Sequence, residues 1–173
     1  TCALPISITP FDAGYRGGVS VGFGDMNSDG FGDIIAGTAT SGGRVKEFSG
    51  KDSKTVLANF NTFATGGIQV AAGNFSSPNH ADLVVSGRGN FNGGDVRIYE
   101  GTTSTLYRNF QAAPGNTAGT NIAVGSFSGN LVNQVVTAGA PERESWRLAF
   151  GLMVTLIWLY LEILRLLAIL NRR

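Results

Sequence analysis

Residues 17–37, GGVSVGFGDMNSDGFGDIIAG, return as GGIQVAAGNFSSPNHADLVVSG at 66–87 and again as AGTNIAVGSFSGNLVNQVVTAG at 118–139. Asp33, Asp82 and Gln134 fall in register, 49 and 52 residues apart. The first two copies also continue alike, as GGRVKEFSGKDSKTVLANF and GGDVRIYEGTTSTLYRNF. Self-similarity at such a period marks an architecture built from one supersecondary unit used repeatedly. Each unit reads as four short strands. The first precedes the polar loop, as at 19–23, and the second is the apolar run after it, DIIAG, DLVVSG or QVVTAG. The third alternates, RVKEFSG or DVRIYEG, and the fourth is TVLANF or TLYRNF. Alternation marks half-buried strands, and unbroken β-branched runs mark strands buried on both faces.

Four strands in a period of 40–50 residues predict a propeller blade. The expected fold is therefore mainly β, with about three four-stranded blades of an incomplete β-propeller at 10–60, 61–112 and, in part, 113–140. A closed ring needs about 4–8 blades, so three predict a fragment or a ring completed by another chain. The polar loop, the DIIAG strand and the GGxVxxFxG hairpin resemble FG-GAP/VCBS repeats, the propeller repeats also found in integrin α-subunit heads. The resemblance covers roughly residues 10–140, and its motif is most specific in the first copy.

The loop GDMNSDGFGD, 24–33, carries the chemistry. Calcium takes six to eight oxygens at about 2.3–2.6 Å. Asp25, Asn27 and Asp29 occupy loop positions 1, 3 and 5, a spacing that turns alternate side chains toward one centre. Gly30 permits the bend, Phe31 offers its carbonyl, and Asp33 at position 9 closes the cage. An EF-hand opens in the same way but needs a glutamate at position 12 and flanking helices; Ala36 stands there, between strands. The competing interpretation is a turn rich in Asp and Asn bonding its own backbone. Three converging carboxylates repel one another without a cation, which favours calcium, as does the family resemblance. The second loop retains Asn74, Ser76 and Asp82 but has Pro78 and Asn79 in place of Asp29 and Gly30, a weaker calcium candidate. The third, with Ser126, Ser128, Asn130 and Gln134, has no carboxylate and is expected to be only a turn.

Other chemistries find little support. Thirteen basic and twelve acidic side chains leave near-neutrality, against a nucleic-acid partner. His80 is the only histidine, and without a second one the sequence predicts neither a Ser/His/Asp triad nor a histidine zinc site. By its alignment with Phe31, its ring is expected to face solvent. Cys2 has no partner for a disulfide. GRGNFNGG at 87–94 links two strands and opens no helix, which fails the context for a dinucleotide site. Asn74-Phe75-Ser76 is a formal glycosylation sequon inside the altered loop. Phe11, Phe48, Phe60, Phe63, Tyr99, Phe110 and Phe127 recur at matching positions, which predicts packing between blades. No catalytic constellation is present.

The ends are of different material. TCALPI, at the start, looks like a translated sequencing adapter, and residues 1–9 are read as a non-native leader without an export signal. After a linker at 141–147, residues 148–170 read LAFGLMVTLIWLYLEILRLLAIL. These 23 residues would span about 35 Å as a helix, enough for a hydrocarbon core of about 30 Å. They predict a transmembrane α-helix followed by a basic tail at 171–173, with Glu162 and Arg165 paired on one face inside the membrane. The stretch ERESWRLAFGLMVTLIWLYLEILRLLAIL resembles the last transmembrane helix of the multi-pass Bax-inhibitor family.

The sequence thus predicts a non-enzymatic calcium-binding propeller module, extracytoplasmic or at the cell surface. It would bind an extracellular protein or glycan and be anchored through a single C-terminal helix. Two rivals stand beside it: a Bax-inhibitor-like membrane protein joined by misassembly near 138–141, and the accessory propeller of an enzyme whose catalytic domain lies elsewhere.

Overall fold

The computed structural model describes residues 6–63, 66–88, 94–114, 119–126, 133–139 and 159–160. The chain divides into two compact units, Thr1–Ala140 and Pro141–Arg173.

The first unit is mainly β. Its strands are β1 (Val19–Gly24), β2 (Asp33–Thr38), β3 (Arg44–Phe48), β4 (Val56–Asn61), β5 (Gly67–Gly73), β6 (Asp82–Arg88), β7 (Asp95–Tyr99), β8 (Leu106–Gln111), β9 (Thr120–Gly125) and β10 (Gln134–Gly139). They form three sheets in sequence order, β1-β2-β3-β4, β5-β6-β7-β8 and β9-β10, with antiparallel neighbours throughout. The repeat extends to detail, because the register shifts between Glu47 and Phe48 in one sheet and between Ile98 and Tyr99 in the other.

Strand composition explains strand position. The apolar runs of β2 and β6 are buried almost end to end. In β3 and β7, Val45 and Val96 are buried while Lys46 and Arg97 between buried neighbours stay half-exposed, as the two-residue side-chain period requires. β8 is exposed along its whole length.

The sheets pack through one interface used twice. Ile35 and Val45 of the first sheet share a core with Ile68, Val70, Leu83 and Val85 of the second. One sheet later Val84 and Val96 pack with Ile122 and Val135 at the same repeat positions as Ile35, Val45, Val70 and Leu83, joined by Ile98 and Val124. Each such side chain contributes about 1.5–3 kcal/mol when fully buried. The approach is close at Gly37, where a Cβ would lie 2.8 Å from Val70 Cγ1. The matching residue, Ser86, is fully buried and donates its hydroxyl to the Thr120 carbonyl at 2.6 Å.

On the far side of the first sheet the same positions are uncovered. Val19, Val21 and Phe23 of β1 match Ile68, Val70 and Ala72 of β5. Val21 is 66% and Phe23 71% exposed, whereas Val70 is 4% exposed.

The recurrent aromatics divide. Phe48, Phe63 and Tyr99 are buried, and Phe60 meets Tyr99 edge to face at 5.2 Å. Phe110, expected to pack between repeats, is instead 37% exposed on edge strand β8. The third sheet has two strands among the described residues and supplies no counterpart of Tyr99. Phe11 lies against Tyr15, and Phe127 falls outside the described residues.

Of the apolar segment expected to form a membrane helix, Leu159 and Tyr160 are helical and exposed. Glu162, Arg165 and the rest of 148–170 lie outside the described residues. Among the described residues no helix is long and apolar enough to cross a membrane.

Candidate metal centre

The loop between β1 and β2 gathers three of the expected ligands. Asp25 accepts hydrogen bonds from the backbone of Asp29 at 3.2 Å and of Gly30 at 3.0 Å. Asn27 Oδ1 accepts from the Asp29 backbone at 3.0 Å, and its amide donates to Asp29 Oδ2 at 3.1 Å. Asp29 Oδ1 accepts from Phe31 N at 2.9 Å. Such side-chain-to-backbone bonds curl a short chain around its own carboxylates. Ser28 and Gly30 complete the curl in the left-handed region, at φ 62° and 83°, which costs glycine nothing. Asn27 and Asp29 are exposed, Asp25 is half-buried, and the Phe31 ring points outward at 51% exposure.

Asp33 has a different place. It is fully buried at the head of β2, accepting from Met26 N at 2.8 Å and from Gly50 N at 2.9 Å. It therefore ties the start of the loop to the turn after β3. Asp82 does the same in the second sheet, accepting from Phe75 N at 2.8 Å, Ser76 N at 2.6 Å and Gly101 N at 3.2 Å. The Ser76 hydroxyl adds a bond of 2.7 Å. A buried carboxylate needs such donors to offset its lost hydration.

Consecutive loops are also joined. Ala81 N donates to the Asp25 carbonyl at 2.6 Å, and, one repeat on, Asn133 N donates to the Asn74 carbonyl at 3.0 Å. Within the second loop the Asn74 side chain donates to the Pro78 carbonyl at 3.0 Å, so Asn74 and Asp82 serve the turn and the frame. In the third copy Gln134 is exposed at the start of β10, and residues 127–132 lie outside the described set. So do residues 89–93 of the glycine-rich GRGNFNGG segment; β6 and β7 flank it.

Three ionisable residues behave in ways the sequence reading missed. Glu47 is 2% exposed on β3, at the position where the second sheet has Ile98. Burial first, and then the charge of Asp33, push its carboxyl up to about 7. The signal was a charge at an apolar position of the repeat.

His80, expected to face solvent, is half-buried between two carboxylates. Its Nδ1 is 3.5 Å from Asp82 Oδ1 and its Nε2 is 3.1 Å from Glu100 Oε1. Glu100, at the turn after β7, accepts from the hydroxyls of Thr102 and Thr103, which hold its carboxyl down to about 2. Only the folding of the turn after β7 onto the loop before β6 brings His80 and Glu100 together.

A family model described as Bax inhibitor 1 like matches residues 125–172. The match covers well under half of the chain and runs from the end of β9 through β10 into the second unit. No curated protein and no solved structure matches the chain.

Proposed function

We propose that the first unit is part of a β-propeller of FG-GAP/VCBS type, a non-enzymatic interaction module that binds calcium through Asp25, Asn27, Asp29, the Phe31 carbonyl and Asp33. The observation that carries this reading is the loop at 25–33, where side-chain oxygens of Asp25, Asn27 and Asp29 hold the backbone of one short exposed turn and so stand close together in the chain. A hard cation such as calcium suits an all-oxygen set of this kind. The propeller reading is supported by the sheet-to-sheet interface used twice and by its uncovered third instance at Val19, Val21 and Phe23. In this reading a further blade, in the same chain or another, covers that face. Surface loops then engage an extracellular protein or glycan, and the apolar segment at 148–170 anchors the module to a membrane.

The match over 125–172 favours a second reading for that stretch, β10 included, as a segment of a Bax-inhibitor-like membrane protein.

The test is thermal unfolding of the full chain in calcium and in chelator. At a hundred times the dissociation constant, a ligand bound only by the native state adds about 2.7 kcal/mol. A clear rise in melting temperature is expected, and Asp29→Ala is expected to abolish it while leaving the chelator curve in place. Superimposable curves for the unsubstituted chain would sink the calcium assignment.

A further inference from the structure

The second loop, weakest as a calcium site, holds a different kind of donor set. One ring nitrogen of His80, one oxygen of Asp82 and one of Glu100 all lie within 4.8 Å of one another. They come from three places in the sequence: the loop before β6, the head of β6 and the turn after β7. Asp82 is fully buried, and the side chains of His80 and Glu100 are 12% and 18% exposed.

The arrangement is unbalanced as it stands. A neutral imidazole has one N–H donor and one lone pair. Here Nε2 faces Glu100 at 3.1 Å and Nδ1 faces Asp82 at 3.5 Å, with the Ala81 carbonyl at 3.4 Å. Whichever nitrogen lacks the proton therefore turns its lone pair toward oxygen acceptors. A cation relieves this, either as a second ring proton or as a metal ion.

We infer that His80, Asp82 and Glu100 form a binding site for a borderline divalent cation of the zinc type. Imidazole suits zinc and is foreign to the all-oxygen shell that calcium takes, so this site is independent of the loop at 25–33. Zinc bonds imidazole nitrogen and carboxylate oxygen at about 2.0–2.2 Å. The donor atoms lie within 4.8 Å of one another, so closing them around one ion takes a turn of the imidazole that aims one nitrogen between the two carboxylates, and water would complete the tetrahedral shell.

Both carboxylates are already oriented by neighbours, as metal ligands usually are. Thr102 and Thr103 hold Glu100, while Phe75 N, Ser76 N and Gly101 N hold Asp82. The Ser76 hydroxyl occupies Asp82 Oδ1 at 2.7 Å and releases that lone pair by rotating about its C–O bond. Ser76→Ala is thus expected to leave binding intact.

The experiment titrates the full chain with zinc chloride while following the imidazole nitrogen shifts by NMR. Because the chain has a single histidine, the signal belongs to His80. Expected are saturation at one zinc per chain and displacement of one ring nitrogen. His80→Gln and Glu100→Gln should each weaken binding by at least about tenfold, while Asp29→Ala leaves it unchanged. Chelator melting curves establish that each variant folds, and the shifts of the unsubstituted chain stand whether or not it does. Nitrogen shifts that ignore zinc overturn the site, even if zinc binds elsewhere, as at Cys2. Affinity unchanged by His80→Gln overturns it equally.

Discussion

The loops at 25–33 and 74–82 hang from the same frame and hold opposite contents. In both, a buried aspartate at the head of the following strand accepts backbone bonds from the start of the loop and from the turn two strands on. Inside that frame the first loop curls outward through Ser28 and Gly30 in left-handed backbone, with its oxygens facing solvent. In the second, Pro78 and Asn79 stand at the equivalents of Asp29 and Gly30 and neither adopts that conformation. Its charges turn inward instead, where His80 meets Asp82 and Glu100. The repeat thus depends on Asp33 and Asp82, while the rest of each loop is free to take on separate chemistry.

If that division holds, the largest effects come from the frame. Asp33→Ala and Asp82→Ala leave buried donors without acceptors, a penalty of about 1–3 kcal/mol per group before water enters. Each is expected to lower stability by about 3 kcal/mol in chelator, read from denaturant midpoints at constant slope. A loss confined to one of the two would mean that the frames are not equivalent.

Next comes the position where the two sheets differ most in polarity, Glu47 against Ile98. The Glu47 carboxyl lies at about 7 in the folded chain and at the ordinary 4.5 when unfolded. Between those values the native state holds the extra proton, so stability is greatest at the acid end. It falls as pH rises from 4.5 through 7, by about 3 kcal/mol at 1.36 kcal/mol per pH unit. Glu47→Gln should flatten this slope in chelator and raise stability at pH 8; an unchanged slope would place the titrating group elsewhere.

The smallest effect tests the loop backbones themselves. Gly30→Ala forces a Cβ into left-handed backbone and is expected to cost about 1 kcal/mol. Asn79→Ala, at the matching position, should stay within about 0.5 kcal/mol. Equal costs from paired melting curves would show that the two turns share a conformation in solution.

Much of this organisation was legible before folding was considered. The strand at 19–23 appears as Val19–Gly24, and the DIIAG and DLVVSG runs head β2 and β6, because side-chain periodicity and turn residues act within a few residues. The gathering of Asp25, Asn27 and Asp29 was legible for the same reason. The exposure of Phe110 was not, since it depends on what covers β8. Nor was the burial of Glu47, whose strand alternates with or without a neighbouring sheet. His80 and Glu100 are 20 residues apart, and no spacing rule joins them.

By itself the sequence determined the repeat, the β class of the first unit and the oxygen-rich chemistry of its first loop. All of these follow from local conformational preference and from one pattern written several times. Only the tertiary structure decided which face of each strand is covered and which carboxylates are buried in the frame. It also decided that His80 lies between two acids. Those outcomes depend on sheets stacking across some fifty residues of chain, where burial and desolvation, rather than residue type, set the role of each side chain.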